Sequence, residues 1–220
     1  MVMKPLAILG GTFDPVHIGH LNAAWEATEL LDAEVRLVPA RIPPHRPLPL
    51  ASAAQRSAML RVALQGQSRL SLDTRELRRE GLSYTADTLA ELRAEQGDRP
   101  LVLLLGEDAF ADLPLWHRWR TLFDLAHLGV LTRPDTSPQW SAALGKMVGE
   151  RLSAHPRDVH HLAAGRVVML PVTPLEISAT RVRELITAER IPRYLLPAAL
   201  WNDPDLLAPY RGSRKKGFSG

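Results

Sequence analysis

The stretch "LAILGGTFDPVHIGH", Leu6 to His20, decides how the rest of the chain is read. Its first half is a short apolar run of the kind that forms a buried strand, and it ends in Gly10 and Gly11. Two glycines at that point bare the backbone, so N–H groups can approach a ligand with no Cβ in the way. Asp14 and Pro15 turn the chain, and a helical pattern, "HLNAAWEATELL", follows. With that helix starting near His17 or Ile18, His17 and His20 lie three residues apart and face the same way. Gly19 between them removes a side chain where a base or ribose could lie against the backbone. Two imidazoles beside backbone donors suit the charge that develops on a transferring phosphoryl group. The bland alternative is a helix cap plus a satisfied core histidine.

The same strand–helix rhythm runs along the chain. "VRLVPA" (Val35 to Ala40), "RLSLDT" (Arg69 to Thr74), "LVLLLG" (Leu101 to Gly106), "LGVLTRP" (Leu128 to Pro134) and "RVVMLPV" (Arg166 to Val172) are further strand candidates. "LVLLLG" is apolar on both faces, as a central parallel strand should be. Helical spacing marks "SAAQRSAMLRVAL", with Ser52 and Gln55 as a capping box, and "TADTLAELRAEQG", with Gly97 as its end. This alternation predicts an α/β protein with one doubly wound, mostly parallel sheet. "PARIPPHRPLPL" (Pro39 to Leu50) holds five prolines, which makes it a loop held in shape.

Composition narrows the function classes. The chain has 220 residues, 45% hydrophobic and 23% charged, with net charge +3, which suits one globular domain over residues 1–210. A basic tail, residues 211–220, has no apolar period and is expected to be disordered. The absence of cysteine excludes disulfides, thiolate catalysis and Cys-ligated metals. No secretory leader or membrane-length apolar run is visible, so a cytoplasmic protein is expected. "GGTFDP" lacks the G-x-G-x-x-G spacing of dinucleotide-binding dehydrogenases, and no P-loop motif occurs.

Chemistry gives two more candidates by itself. Arg46 on the proline loop offers a bidentate phosphate donor. "EISATRVR" (Glu176 to Arg183) opens a helix with Ser178 and Thr180 and carries Arg183 one turn later, which makes an anion-binding nest.

"GGTFDPVHIGHL" resembles the signature of the nucleotidyltransferases whose H-x-G-H motif is shared with class I aminoacyl-tRNA synthetases. Within that superfamily the chain resembles the bacterial nicotinate-nucleotide adenylyltransferases, over nearly its whole length. The resemblance implies a Rossmann-like nucleotidyltransferase fold. It also implies the joining of nicotinate mononucleotide to ATP, giving nicotinate adenine dinucleotide and pyrophosphate, in NAD biosynthesis.

Site roles follow from the same resemblance. Catalysis falls to His17, His20 and Arg183, and ATP binding to Gly10, Gly11, Thr12, Phe13 and Gly19 in the first turn. In "PPHR", His45 and Arg46 lie over the mononucleotide phosphate. In "SYTADTL", Thr85 is read as the helix N-cap, and this turn presents backbone groups to the pyridine carboxylate. In "GEDAFADLPLWHRW", Gly106 and Asp108 fall beyond a strand's carboxyl end, with Asp108 near the ATP ribose and phosphates. Trp116 there is the stacking platform for the pyridine ring, with the His117 backbone N–H beside the carboxylate. Arg133 meets the adenosine half. Ile177, Ser178, Thr180 and Arg183 match I-S-[SA]-T-x-x-R, which faces the β- and γ-phosphates, and Ala179 stands where some members carry a second serine. Mg²⁺ is expected on the phosphates, held mostly by substrate oxygens and water.

Rival readings stay open on sequence. A sibling transferase would use nicotinamide mononucleotide, phosphopantetheine or a small alcohol phosphate. A tRNA synthetase is disfavoured by chain length and by the lack of a K-M-S-K-S-like segment. A nucleotide sensor on the same fold is the answer of a different class, and the basic tail alone suggests nucleic acid. His155, His160 and His161 in "SAHPRDVHHLAAG" read either as metal ligands or as a surface loop.

Overall fold

The computed structural model of the chain describes residues 3–44, 47–133, 140–203 and 205–211. Six strands are β1 (Leu6–Gly11), β2 (Glu34–Pro39), β3 (Leu70–Leu72), β4 (Leu101–Gly106), β5 (His127–Thr132) and β6 (Val167–Pro171). They form one sheet in the order β3-β2-β1-β4-β5-β6, and each neighbouring pair is parallel. The connecting helices are α1 (Ile18–Leu31), α2 (Ala53–Ala63), α3 (Arg75–Arg78), α4 (Thr85–Gln96), α5 (Glu107–Ala111), α6 (Leu122–Leu125), α7 (Ala142–Gly149), α8 (Ala179–Thr187) and α9 (Ala198–Trp201). None of the described helices is long and apolar enough to cross a membrane.

Alternation along the strands explains the two layers. Ala7 and Leu9 of β1 enter one core with Ala24, Ala27 and Leu31 of α1 and Met59 and Leu60 of α2. Leu6 and Ile8 enter the opposite core with Leu89 and Leu92 of α4 and Phe110 of α5. Both faces of the sheet are therefore covered, which is why its strands read as continuous apolar runs.

Strand β3 is shorter than "RLSLDT" predicts. Asp73 ends it, because its carboxylate accepts the Arg75 backbone N–H at 3.0 Å and the Arg75 side chain at 2.9 Å, turning the chain into α3. The capping box on α2 forms as expected: Gln55 N donates to Ser52 Oγ at 3.3 Å and Ser52 N to Gln55 Oε1 at 2.9 Å. Gly97 ends α4 with a φ of 55° that a side chain would disfavour.

The order of strands reverses direction between β1 and β4. Their pairing stops at Leu9↔Leu104, while β1 continues with β2 to Gly11↔Pro39 and β4 with β5 to Gly106↔Leu131. The carboxyl ends of β1 and β4 therefore separate, and a ligand crevice opens where the topology switches.

Candidate active site

Residues after β1 build the floor of that crevice. Gly10 is exposed, and a Cβ there would meet nothing within 4 Å. Gly11 has a different reason: its Cβ would stand 3.0 Å from the Phe13 ring, which folds back beneath the turn. Phe13 is buried with a φ of 51°, and its ring meets the edge of His20 with centroids 5.0 Å apart. Thr12 is half-buried between them.

His17 is the N-cap of α1, and His20 sits three residues on. Their rings stack with centroids 3.7 Å apart and 23° between planes, so one face presents both imidazoles. The backbone N–H of His17 donates to His20 Nδ1 at 3.3 Å, so in the neutral ring the proton sits on Nε2. Burial lowers the His17 pKa from 6.5 to about 4, so at neutral pH it is an uncharged imidazole. Its Nδ1 is buried with no hydrogen-bond partner in the protein. His17 thus occupies the cap position of α1 without a side-chain capping bond, and its ring stacks on that of His20.

Gly19 lies against protein on one side. A Cβ there would lie 3.2 Å from the His17 ring and 3.6 Å from Ile177 Cβ. The absent side chain lets the His17 ring and the segment before α8 close on the helix start.

Helix α8 arrives at the same point. Ser178 caps it, accepting from Arg181 N at 3.1 Å, and Ser178 and Thr180 are both exposed. Arg183 donates to Thr180 Oγ1 at 3.1 Å and to the Asp14 backbone carbonyl at 2.7 Å. One guanidinium therefore joins the anion nest to the glycine turn. Across the crevice, Gly106 is the N-cap residue of α5, and Asp108 on its first turn is exposed. Arg133 follows β5 and is exposed at the same end of the sheet.

A second group gathers at the start of α4. Thr85 is the first helical residue, and the N-cap is Tyr84, which makes no side-chain capping bond. The entry to the helix is fixed elsewhere: Ser83 N donates to Ile42 O at 2.9 Å, and Arg41 N to Ser83 Oγ at 2.9 Å. That pairing sets the chain direction and shifts the cap by one residue. His117 is exposed and its ring lies on Tyr84, centroids 4.4 Å apart, while Arg118 approaches Asp87 at 3.6 Å. Trp116 is half-buried and packs on the core cluster that contains Phe110. His45 and Arg46 lie outside the described residues.

Three residues hold these parts together: Asp14, read from the sequence only as a turn residue, and Arg56 and Tyr210, which that reading passed over. Asp14 is 6% exposed, and its carboxylate accepts Leu50 N at 2.8 Å, Ala51 N at 3.0 Å and the Tyr210 hydroxyl at 2.7 Å. The far end of the proline loop is thereby tied to the first turn. Arg56 is 1% exposed and donates to the carbonyls of Thr12 and Ala40, each at 2.7 Å, and of Ala51 at 3.2 Å. Burial lowers the basicity of this guanidinium, and nearby Asp14 and Tyr210 oppose the effect. Burial, then the bond to Asp14, pushes the Tyr210 phenol well up, so it stays a donor. An arginine within an otherwise ordinary helical pattern is the single signal that could have pointed to Arg56.

Of the histidines in "SAHPRDVHHLAAG", His160 bonds the end of α1 and His161 is exposed. His160 Nε2 donates to Leu31 O at 2.7 Å, and among the described residues no group of three His, Asp or Glu could hold a metal.

A family model described as cytidylyltransferase-like matches residues 8–185. A relative from Aeromonas hydrophila named "Probable nicotinate-nucleotide adenylyltransferase" is 47% identical over 201 residues, covering 91% of this chain and 94% of its own. One of the same name from Pseudomonas syringae is 43% identical over 216 residues, 97% of both chains. Among solved structures, the Plasmodium falciparum nicotinic acid mononucleotide adenylyltransferase complexed with NaAD aligns with a TM-score of 0.67 at 18% identity, covering 94% of this chain and 96% of that one, a likeness of fold. The chain belongs to the cytidylyltransferase-like family, and within it to the nicotinate-nucleotide adenylyltransferases.

Proposed function

We propose that this protein joins nicotinate mononucleotide to ATP, forming nicotinate adenine dinucleotide and releasing pyrophosphate. The observation that supports it most is the meeting of two phosphate-binding helix starts: Arg183 of α8 bonds the Asp14 carbonyl at 2.7 Å, beside the stacked His17 and His20. The names and coverage of the relatives favour the same substrates.

A mononucleotide phosphate has a second pKa of about 6 and is mostly dianionic at neutral pH, so the nucleophile needs no general base. One of its oxygens attacks the α-phosphorus of ATP in line, and the bond from that phosphorus to the β-bridging oxygen breaks. The protein's work is to align the two nucleotides and to balance charge. The backbone amides of Gly11 to Phe13, with the imidazoles of His17 and His20, serve the α-phosphate. Ser178, Thr180 and Arg183 hold the leaving pyrophosphate. Gly106, Asp108 and Arg133 take the adenosine side, and Ile177 shapes its edge. The mononucleotide phosphate falls to His45 and Arg46. Thr85, Trp116 and the His117 backbone take the pyridine ring and its carboxylate.

Mg²⁺, when bound, supplies neutralising charge on the triphosphate. The ion would be held mostly by phosphate oxygens and water, since Mg²⁺ keeps several waters and seldom uses a dedicated protein cage. The test is pyrophosphate release from ATP with nicotinate and nicotinamide mononucleotides in parallel. Preference for the nicotinate form is expected; equal rates would overturn the substrate, and no release with either would favour a nucleotide sensor.

A further inference from the structure

The family match ends at residue 185, yet the chain returns to the first turn 25 residues later through Tyr210. Tyr210 closes a short 3-10 turn, Ala208–Tyr210, and is 3% exposed. Its backbone carbonyl accepts the Thr187 hydroxyl at 3.1 Å, which anchors it to the end of α8. Its own hydroxyl donates to Asp14 Oδ1 at 2.7 Å. Asp14 thus has two sides. Its carboxylate is held by Tyr210, Leu50 N and Ala51 N, while its backbone carbonyl receives Arg183 at 2.7 Å.

A buried carboxylate keeps one orientation only while its oxygens are satisfied. The hydroxyl of Tyr210 comes from the side of α8, whereas Leu50 and Ala51 come from the proline loop. Removing it leaves the Asp14 carboxylate tethered to the loop alone, with the single Arg183 bond to the carbonyl as the remaining link to α8. The carbonyl that seats Arg183 would then follow the loop rather than α8. Arg183 reaches substrate phosphate only if the turn and α8 keep one register.

We propose that Tyr210 is a positioning residue for nucleotidyl transfer: through Asp14 its hydroxyl fixes Arg183 against the glycine turn and the histidine pair. This inference rests on the transferase reading above. The rival account makes Tyr210 an anchor of the C-terminal segment that matters for folding alone.

The experiment is steady-state pyrophosphate release by the full chain, with kcat expressed per folded molecule. Tyr210→Phe keeps the ring and deletes one oxygen, so the fold is retained. It should lower kcat about tenfold, a cost of misplacement rather than lost binding, with KM for nicotinate mononucleotide within about twofold of wild type. In combination with Arg183→Gln, the double variant should be about as slow as Arg183→Gln alone, because both changes act on one guanidinium. An unchanged kcat in Tyr210→Phe, with only a lower Tm, overturns the proposal. So do losses that multiply in the double variant. A wild-type chain that turns over normally while Tyr210→Phe is unaffected sinks this inference alone. A wild-type chain that releases no pyrophosphate sinks the transferase reading and this inference with it.

Discussion

At the scale of single residues, the two histidines differ in environment and should differ in behaviour. His20→Ala removes the half-buried imidazole of the pair, and kcat should fall roughly 10²- to 10³-fold, as for other oriented donors at a charge-developing centre. The circular dichroism spectrum should be unchanged, because the backbone bonds that open α1, such as Leu21 N to His17 O, do not involve the ring. His17 carries a pH signature instead. Unfolded, it takes a proton as pH falls below 6.5; folded, burial delays this until about 4. The unfolded state therefore binds more protons in that window, and stability must fall as pH drops through it. The contribution is up to about 3 kcal/mol, present in full above the upper limit and gone below the lower one. Urea unfolding of His17→Asn at several pH values should show a flatter acid limb than wild type.

At the scale of elements, the site depends on how closely α1 and the segment before α8 approach. Gly19 is where they touch, and Gly19→Ala would press a methyl group against the His17 ring at 3.2 Å and Ile177 at 3.6 Å. Helix propensity favours alanine by about 1 kcal/mol, so stability should hardly suffer. Activity should drop more than about tenfold, because the histidine pair must move to accommodate the new atom. The rate would then fall while stability stays near wild type, which thermal melts and initial rates on one preparation would show. The element boundaries teach the same lesson. Ser52, Gln55 and Gly97 act within one turn of chain, and their roles are readable from spacing. Thr85 reads equally well as a cap but is displaced by one residue, because Ser83 is already bonded to Ile42 and Arg41 from a distant loop.

At the scale of the whole molecule, the crevice is kept in shape by polar groups buried beneath it. Arg56 gathers the carbonyls of Thr12, Ala40 and Ala51 from three separate stretches of chain. Arg56→Met fills similar space but leaves those carbonyls unpaired, at a cost of about 3 kcal/mol. The urea midpoint should fall with the slope unchanged, and added ATP should recover part of the loss by mass action. A midpoint equal to wild type would mean that water replaces the guanidinium without cost.

The sequence by itself determined the class of fold and where the candidate site residues fall along it. Strand period, glycine turn and helical spacing are short-range properties, and they set the order of elements and put "HIGH" at a helix start. The Ser178 cap of α8, with Arg183 one turn on, was legible for the same reason. What only the tertiary structure decided is which distant groups lie under that turn. Asp14 reads as a turn residue until Leu50, Ala51, Arg183 and Tyr210 converge on it, the last from 196 positions away. Arg56 reads as one more polar residue in a helix. Such partners carry no local period, since a buried charge is satisfied by whatever backbone the fold brings within 3 Å or so.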